Sequence, residues 1–383
     1  MDEETRLIRA GRTPSKLPRT IGPPIQRGST VLLPNAKTVY AEKIGYGRAG
    51  LAAQMTLADA LAELEGATAV QLYPSGLSAM TGAMLAVLKT GDEVLIADSV
   101  YKPTRRFCDT VLKRFGVAVR YYDPASPPEA LLAMAGEPTR LIVIESPGSL
   151  SFEMQDVPGI AALAKARGVL TLMDNTWAAG LLFKPLAHGV DISVQALTKY
   201  VGGHSDLFMG SAAVADPTLA RALDDGIHEL GWAVAPEAAY DMLRGLRTLP
   251  TRLKRHGSSG VEVAGWLARQ PEVLRVIHPA LPRGEGHAIW SRDYSGACGL
   301  FAFVLKPAPT KAVHAFLDAL KLFGLGFSWG GFESLAIPCD PQLSRRVFKK
   351  DLGGPLIRLH IGLESPADLI ADLRTGLDAL NTA

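Results

Sequence analysis

The sequence predicts an α/β protein. A mostly parallel central sheet carries helices on both faces, an arm precedes it, and a smaller α+β unit follows. Three observations carry this reading. Short, continuously apolar runs alternate with helical segments from about residue 56 to residue 215, the pattern of strands buried on both faces. A long helical stretch then separates this region from a second set of strands and helices. The first 50 residues are rich in Gly, Pro, Arg and Thr and show little periodicity. A chain of 383 residues accommodates two domains. The expected division is an extended arm at 1–50 lying on a neighbouring subunit, a large domain at 51–245 and a C-terminal α+β domain at 246–383.

The elements follow in order. Leu57–Glu65 reads as an amphipathic helix stopped by Gly66. Ala69–Tyr73 is a strand, Ser78–Leu88 a helix, Glu93–Ala97 a strand, Thr104–Phe115 a helix and Val117–Tyr122 a strand. Pro128–Ala135 is a helix and Leu141–Glu145 a strand ending in an acid; Ile160–Arg167 is a helix and Val169–Met173 a strand. Ile192–Leu197 and Ser211–Ala215 are strands. Glu237–Gln270 is helical, broken at Pro250, and links the two domains. The smaller unit has strands at Val273–Ile277, Leu300–Leu305 and Leu356–Ile361, and helices at Lys311–Phe323 and Ala367–Leu380.

Composition narrows the function. Hydrophobic residues make up 48% and charged residues 20%, enough apolar material for large cores, and mean hydropathy is +0.14. Lys plus Arg is 40 against 38 for Asp plus Glu, a net charge of +2, which argues against nucleic acid as the main partner. The basic cluster Arg252-Leu-Lys254-Arg255 reads as a solvated helix face. Cys108, Cys298 and Cys339 fit neither a zinc spacing nor a disulfide framework, so no metal is expected and a reduced, cytoplasmic setting is. The acidic start Met1-Asp-Glu-Glu-Thr is not expected to be a signal peptide. No apolar run approaches the ~18 residues of a membrane span, so no membrane partner is expected.

In open α/β sheets, ligands bind beyond the carboxyl ends of the strands. Four features fall there: the loop Pro74-Ser-Gly76-Leu77-Ser78, Glu145, Asp174 and Lys199. Lys199 stands between an apolar run and a Gly-Gly loop, with the Thr198 hydroxyl directly before it. A lysine fixed at a strand end and partly desolvated suits Schiff-base chemistry. About 25 residues upstream, Asp174 closes another apolar strand. A lysine plus a carboxylate for a pyridinium nitrogen is the pairing that pyridoxal 5'-phosphate requires. The loop at Gly76 is a phosphate cradle at a helix N-terminus, or an ordinary turn with a serine cap. Asp174 alone is as consistent with a turn cap. Tyr101 either stacks on a cofactor ring or is a half-buried tyrosine at a helix start. Arg358 is either an exposed sheet-face residue or a fork for an amino-acid carboxylate. Gly45-Tyr-Gly47-Arg-Ala-Gly50 matches the G-x-G-x-x-G spacing but lacks a preceding buried strand, so a dinucleotide site is rejected. Tyr46 and Arg48 are instead candidates to hold a phosphate. His204 reads as a structural hydrogen-bonding residue, and Ser205 has no partners for a triad.

At this point the residues resemble a known family. Asp191 through Ser205 is similar to the cofactor-attachment segment of the Cys/Met-metabolism pyridoxal-phosphate enzymes of fold type I, with Leu197 bulkier than usual there. Tyr46-Gly-Arg48, Leu64-Glu-Gly66, Asp174 through Gly180 and Leu243 through Leu249 extend the resemblance over nearly the whole chain. Within the family, Trp329 in Ser328-Trp-Gly-Gly-Phe-Glu-Ser334, the Glu145-Ser-Pro-Gly-Ser149 loop and Leu356 through Glu364 resemble the β-lyase branch. The resemblance implies a fold type I transferase-like architecture and roles at matched positions. Lys199 would bond the cofactor. Gly76 and Leu77 would bind its phosphate through their amides, and Thr198 through its hydroxyl. Tyr46 and Arg48 would reach the phosphate of an adjacent subunit, and Tyr46 its substrate as well. Tyr101 would stack on the ring and assist catalysis, and Asp174 would hold the ring nitrogen. Arg358 would take the substrate carboxylate, with Ser328 and Trp329 beside it. The implied activity is a C–S β-elimination that splits cystathionine into homocysteine, pyruvate and ammonia for methionine biosynthesis. The implied assembly is a homotetramer of two active-site dimers. Competing readings are γ-elimination or γ-replacement, a general cysteine-conjugate β-lyase or desulfhydrase, and a non-catalytic cofactor-binding regulator.

Overall fold

The computed structural model describes residues 1–11, 20–40, 45–282 and 284–382. Parts of the expected arm, 12–19 and 41–44, therefore lie outside the described residues. The helices are α1 (Glu3–Arg9), α2 (Ala52–Glu65), α3 (Gly76–Val87), α4 (Lys102–Phe107), α5 (Pro128–Met134), α6 (Val157–Ala166), α7 (Pro217–Glu229), α8 (Pro236–Arg247), α9 (Leu249–Leu267), α10 (His287–Asp293), α11 (Thr310–Ala319), α12 (Asp340–Leu343) and α13 (Pro366–Thr382). The strands of the first sheet are β1 (Ala69–Tyr73), β2 (Glu93–Ala97), β3 (Ala118–Tyr122), β4 (Thr139–Glu145), β5 (Leu170–Asp174), β6 (Ile192–Gln195) and β7 (Gly210–Val214). Those of the second are β8 (Val273–Ile277), β9 (Leu300–Leu305), β10 (Gly324–Leu325), β11 (Leu335–Pro338) and β12 (Leu356–His360).

The first sheet has the order β1-β7-β6-β5-β4-β2-β3. Every neighbouring pair is parallel except the two that involve β7, which runs antiparallel to both β1 and β6. The expected mostly parallel sheet is present. Its one reversed strand was not legible, because Gly-Ser-Ala-Ala-Val carries no signal of direction. Helices cover both faces. Met80 and Met84 of α3 pack with Leu219 and Leu223 of α7 on one side. Leu57 of α2, Ile160 of α6 and Leu243 of α8 pack on the other.

The second sheet has the order β10-β11-β12-β9-β8 and is antiparallel but for β10 and β11. Alternation along its strands separates two cores. Phe301, Phe303 and Leu305 of β9 and Ile357 and Leu359 of β12 meet Phe316 of α11 and Leu373 of α13. Leu300, Ala302 and Val304 face the large sheet's core instead. Arg358 and His360 share that second direction, so the smaller unit turns them toward the large sheet. Trp177 joins the two units: its Nε1–H donates to the Leu300 carbonyl at 3.1 Å and its ring meets Tyr294 edge-on at 5.9 Å.

Several expectations differ from the fold. The arm is not extended throughout, because α1 docks on its own chain: Leu7 is buried, Glu3 pairs with Lys184 at 2.5 Å, and Arg247 donates to the Ile8 carbonyl at 2.5 Å. The helix expected at Thr104–Phe115 widens after α4 into a π-helical turn at Cys108–Leu112. α1, α7, α10, α12, β10 and β11 were not anticipated. For α7 the signals were present, since Asp216 caps the Thr218 and Leu219 amides at 2.7 and 3.1 Å and Pro217 opens the helix. β11 was hidden by Pro338, which reads as a breaker but ends the strand. Arg252 is not on a solvated face. It is buried, and its guanidinium donates to the carbonyls of Tyr200 and Gly245 at 2.7 Å each and of Val201 at 3.2 Å. A helix-borne cation thus gathers the carbonyls of the loop that follows Lys199.

Candidate active site

The carboxyl ends of β1, β4, β5 and β6 meet at one edge of the large sheet. Parallel register sets Glu145 of β4 beside Asp174 of β5, and Asp174 beside Val194 of β6. A cavity of about 210 Å³ opens there, lined by Gly76, Leu77, Tyr101, Glu145, Asp174, Thr198, Lys199, Trp329 and Arg358 among others. All four features singled out at the sheet edge converge on it, and the smaller unit closes it with Trp329 and Arg358.

The loop after β1 is held by a reciprocal cap. Ser75 Oγ accepts from the Ser78 amide at 3.1 Å, and Ser78 Oγ accepts from the Ser75 amide at 2.8 Å. Among the described residues this leaves the Gly76 and Leu77 amides at the start of α3 without a partner, beside the cavity. Two amides at the positive end of a helix make an anion site. A Cβ at position 76 would come within 2.7 Å of Ala196 Cα, so glycine is required by the approach of the segment just after β6 as well as by any ligand. The Thr198 hydroxyl lies at the same end, donating to the Met209 carbonyl at 3.1 Å and accepting from the Met209 amide at 3.0 Å.

Asp174 Oδ1 accepts from both the amide and the hydroxyl of Thr176, at 3.0 and 2.5 Å. The same hydroxyl accepts from the Ala196 amide at 2.9 Å, which ties the carboxylate to β6. Burial raises the carboxyl above its ordinary range; the Thr176 hydrogen bonds, and Lys199 more weakly, oppose that. Glu145 accepts from the Tyr101 amide at 2.7 Å, and burial, followed by the Asp174 charge, pushes it well above the usual range. Two enclosed carboxyls with little cationic company call for a positive group in the cavity.

Lys199 Nζ donates to Ser328 Oγ at 3.0 Å and lies 5.3 Å from the centre of the Trp329 ring. Burial, then the Arg358 guanidinium, lower its amine to about 8, against the pull of Asp174. The loop bearing Ser328 and Trp329 presses directly on the lysine. Gly330 has φ of 87° there, and a Cβ on it would stand 2.8 Å from the Lys199 carbonyl carbon and the Tyr200 nitrogen. His360 Nε2 accepts from the Gly330 amide at 3.0 Å and holds that approach. Arg358 is buried, which rejects the exposed sheet-face alternative. One terminal nitrogen donates to the carbonyls of Gly326, Phe327 and Ser328 at 3.0–3.2 Å, and Nε has no partner among the described residues.

Tyr101 caps α4 and remains half exposed at the cavity mouth. Tyr46 and Arg48 are not brought to this cavity. They pack on each other, with Arg48 Cζ 5.3 Å from the Tyr46 ring, and line recesses beside Gln54 and Val234. Gly47–Ala49 is a short 3₁₀ turn rather than the start of a helix. His204 Nδ1 lies 2.7 Å from the Gly202 carbonyl, a structural contact, and Ser205 Oγ pairs with Glu333 at 2.5 Å. Sequence reasoning missed Thr176, Arg252 and His360. Only Thr176 had a local signal, a hydroxyl two residues beyond an acid.

Orphaned amides, a hydroxyl, an enclosed carboxylate and a lysine of lowered basicity suit one cofactor in particular. A phosphate, a ring nitrogen that gains a proton and an aldehyde are all satisfied when pyridoxal phosphate is bound. Residues 4–378 match the family described as Cys/Met metabolism PLP-dependent enzymes, and the chain belongs to that family. A Rhizobium johnstonii protein, provisionally named as a cystathionine β-lyase, is 46% identical over 98% of this chain and 96% of its own. The Haemophilus influenzae cystathionine β-lyase is 39% identical over 99% and 98%. A Wolbachia pipientis protein named L-alanine/L-glutamate racemase is also 39% identical, over 99% and 98%. The crystal structure of metB from Corynebacterium glutamicum superposes with a TM-score of 0.92 at 29% identity, covering 99% of this chain and 98% of that one. Fold and cofactor class agree with the fold type I expectation.

Proposed function

We propose that this protein cleaves the Cβ–S bond of L-cystathionine, giving homocysteine, pyruvate and ammonia. The observation that carries the reading is the amine of Lys199, lowered to about 8 and held between Ser328, Trp329 and Arg358. Bound pyridoxal phosphate supplies the sink for the electrons left when a Cα proton departs. Asp174 keeps the proton on the ring nitrogen. Gly76, Leu77 and Thr198 hold the phosphate from this chain. Tyr46 and Arg48 serve the phosphate, and Tyr46 the substrate, of a neighbouring subunit, in a cytoplasmic homotetramer of two active-site dimers. In this reading the arm is 1–50 and the domains are 51–245 and 246–383.

Arg358 pairs its free edge with the substrate carboxylate and so sets which Cα bond faces Lys199. Lys199 takes the Cα proton and delivers it to the departing sulfur, and Tyr101, at the cavity mouth, would stack on the ring and assist. Ser328 keeps the amine oriented between the two transfers. Trp329 covers the amine, and its place in the segment that resembles the β-lyase branch is the basis for favouring β- over γ-cleavage.

Incubation with L,L-cystathionine, with the keto acid identified by mass spectrometry, tests this. Pyruvate with homocysteine supports it; 2-oxobutyrate with cysteine moves the protein to the γ-lyases. The Wolbachia relative gives a second reading its basis, since racemisation begins with the same proton removal. Conversion of L-alanine to D-alanine faster than cystathionine cleavage would favour it.

A further inference from the structure

The cavity at Lys199 opens into a larger one of about 1210 Å³. The two share Tyr101, Leu150, Trp329 and Arg358 among others, so the arm of a substrate that extends past the reacting carbon enters the larger space. One wall of that space is α4. Lys102 and Arg106 line it from positions one helical turn apart, with Cβ atoms about 5–6 Å from each other. Like charges at this spacing repel unless an anion lies between them. Among the described residues neither has an ion-pair partner, whereas the adjacent Arg105 is committed to Asp98. The facing wall is α11, which contributes Asp318 and His314, and much of the remaining lining is apolar. Arg358 is already assigned to the carboxylate at the reacting end.

We propose that Lys102 and Arg106 select thioether amino acids whose departing arm ends in a carboxylate. The inference rests on the β-elimination reading and names the substrate class within it. Arg106 contributes the larger share, because its guanidinium offers a fork to a carboxylate where Lys102 offers a point charge. Asp318, across the cavity, receives an ammonium when the arm carries one, as in cystathionine. Solvent-exposed ion pairs are individually weak, so the two cations together give a preference of about tenfold in kcat/KM.

The test uses the cofactor-loaded protein and L-cysteine thioethers that differ only at the end of the arm: S-butyl, S-(3-carboxypropyl) and S-(3-aminopropyl). Pyruvate release is followed at low ionic strength, because salt screens exposed pairs. The carboxypropyl compound is expected to exceed the butyl compound by about tenfold, with the aminopropyl compound the poorest. Arg106→Glu should reverse the order of the two charged substrates, a result that partial misfolding cannot produce; cofactor absorbance confirms loading of the variant. Equal kcat/KM for all three in the unaltered protein, with pyruvate formed, overturns this inference alone. A carboxypropyl preference left unreversed in Arg106→Glu overturns the assignment to α4. Pyruvate from none of them, nor from cystathionine, removes the β-elimination reading and this inference with it.

Discussion

Replacing Arg358 with Gln isolates the group on which substrate orientation depends. The side chain is 6% exposed, on β12 between β11 and β9, and directed toward the large sheet. Gln is shorter, carries no charge and cannot span the three carbonyls at 326–328. Two consequences follow. The substrate carboxylate loses a largely desolvated partner, a truncation that typically costs about 2–5 kcal/mol. At 25 °C that is about 30- to 5000-fold in kcat/KM. Lys199 also loses a neighbouring cation, so its amine moves up from about 8. The assay is steady-state pyruvate release from cystathionine, with Arg358→Lys as a companion that keeps the charge but not the fork. The expected order is Arg, then Lys, then Gln, with the loss in kcat/KM rather than in cofactor content. A Gln variant within threefold of the parent would refute the carboxylate role, and with it the argument that Nε is left unpaired for a ligand.

Three further outcomes follow from the geometry. In cofactor-free protein the lowered basicity of Lys199 means that its amine is protonated below about 8 and free above it. Cofactor capture, read by absorbance, should speed up by about tenfold per pH unit below that midpoint and then level off. The midpoint should rise in Arg358→Gln, and a flat profile from pH 6 to 9 would contradict the assigned titration. Gly330→Ala forces a Cβ onto the Lys199 backbone at positive φ, a strain of about 1–3 kcal/mol; it should lower turnover more than cofactor binding, as separate titration and rate measurements would show. Trp177→Ala removes the indole linking the two sheets and should cost about 3–5 kcal/mol, seen as a lower denaturation midpoint; an unchanged midpoint would mean that the units are joined elsewhere.

The strands most legible in the sequence were those buried on both faces. β2 and β4 contain unbroken apolar runs, Val94–Ala97 and Leu141–Ile144, because helices cover them on either side, and their carboxyl ends mark the site by topology alone. Lys199 and Asp174 were readable for the same reason, since each stands where such a run stops. Small or short strands were harder. Nothing in Gly210–Val214 shows that β7 runs backwards, and β10 is two residues long. Arg252 was misread because four residues of local context cannot show that two carbonyls of the loop after Lys199, and one from α8, arrive at its guanidinium.

By itself, then, the sequence determined the order and type of most of the elements and the family, and it pointed to the lysine and carboxylate proposed for the cofactor. These depend on local periodicity and on positions along single strands. Tertiary structure decided the rest. The alternation of β12 turns Arg358 inward rather than to solvent, a choice the strand pattern leaves open until its two faces have neighbours. The Gly330 loop meets Lys199 from 131 residues away, and the amine is lowered only because that packing excludes water and brings a guanidinium close. Lys102 and Arg106 become a cavity wall only once α11 stands opposite. Basicity and charge complementarity depend on distance through space, and distance exists only after the chain has folded.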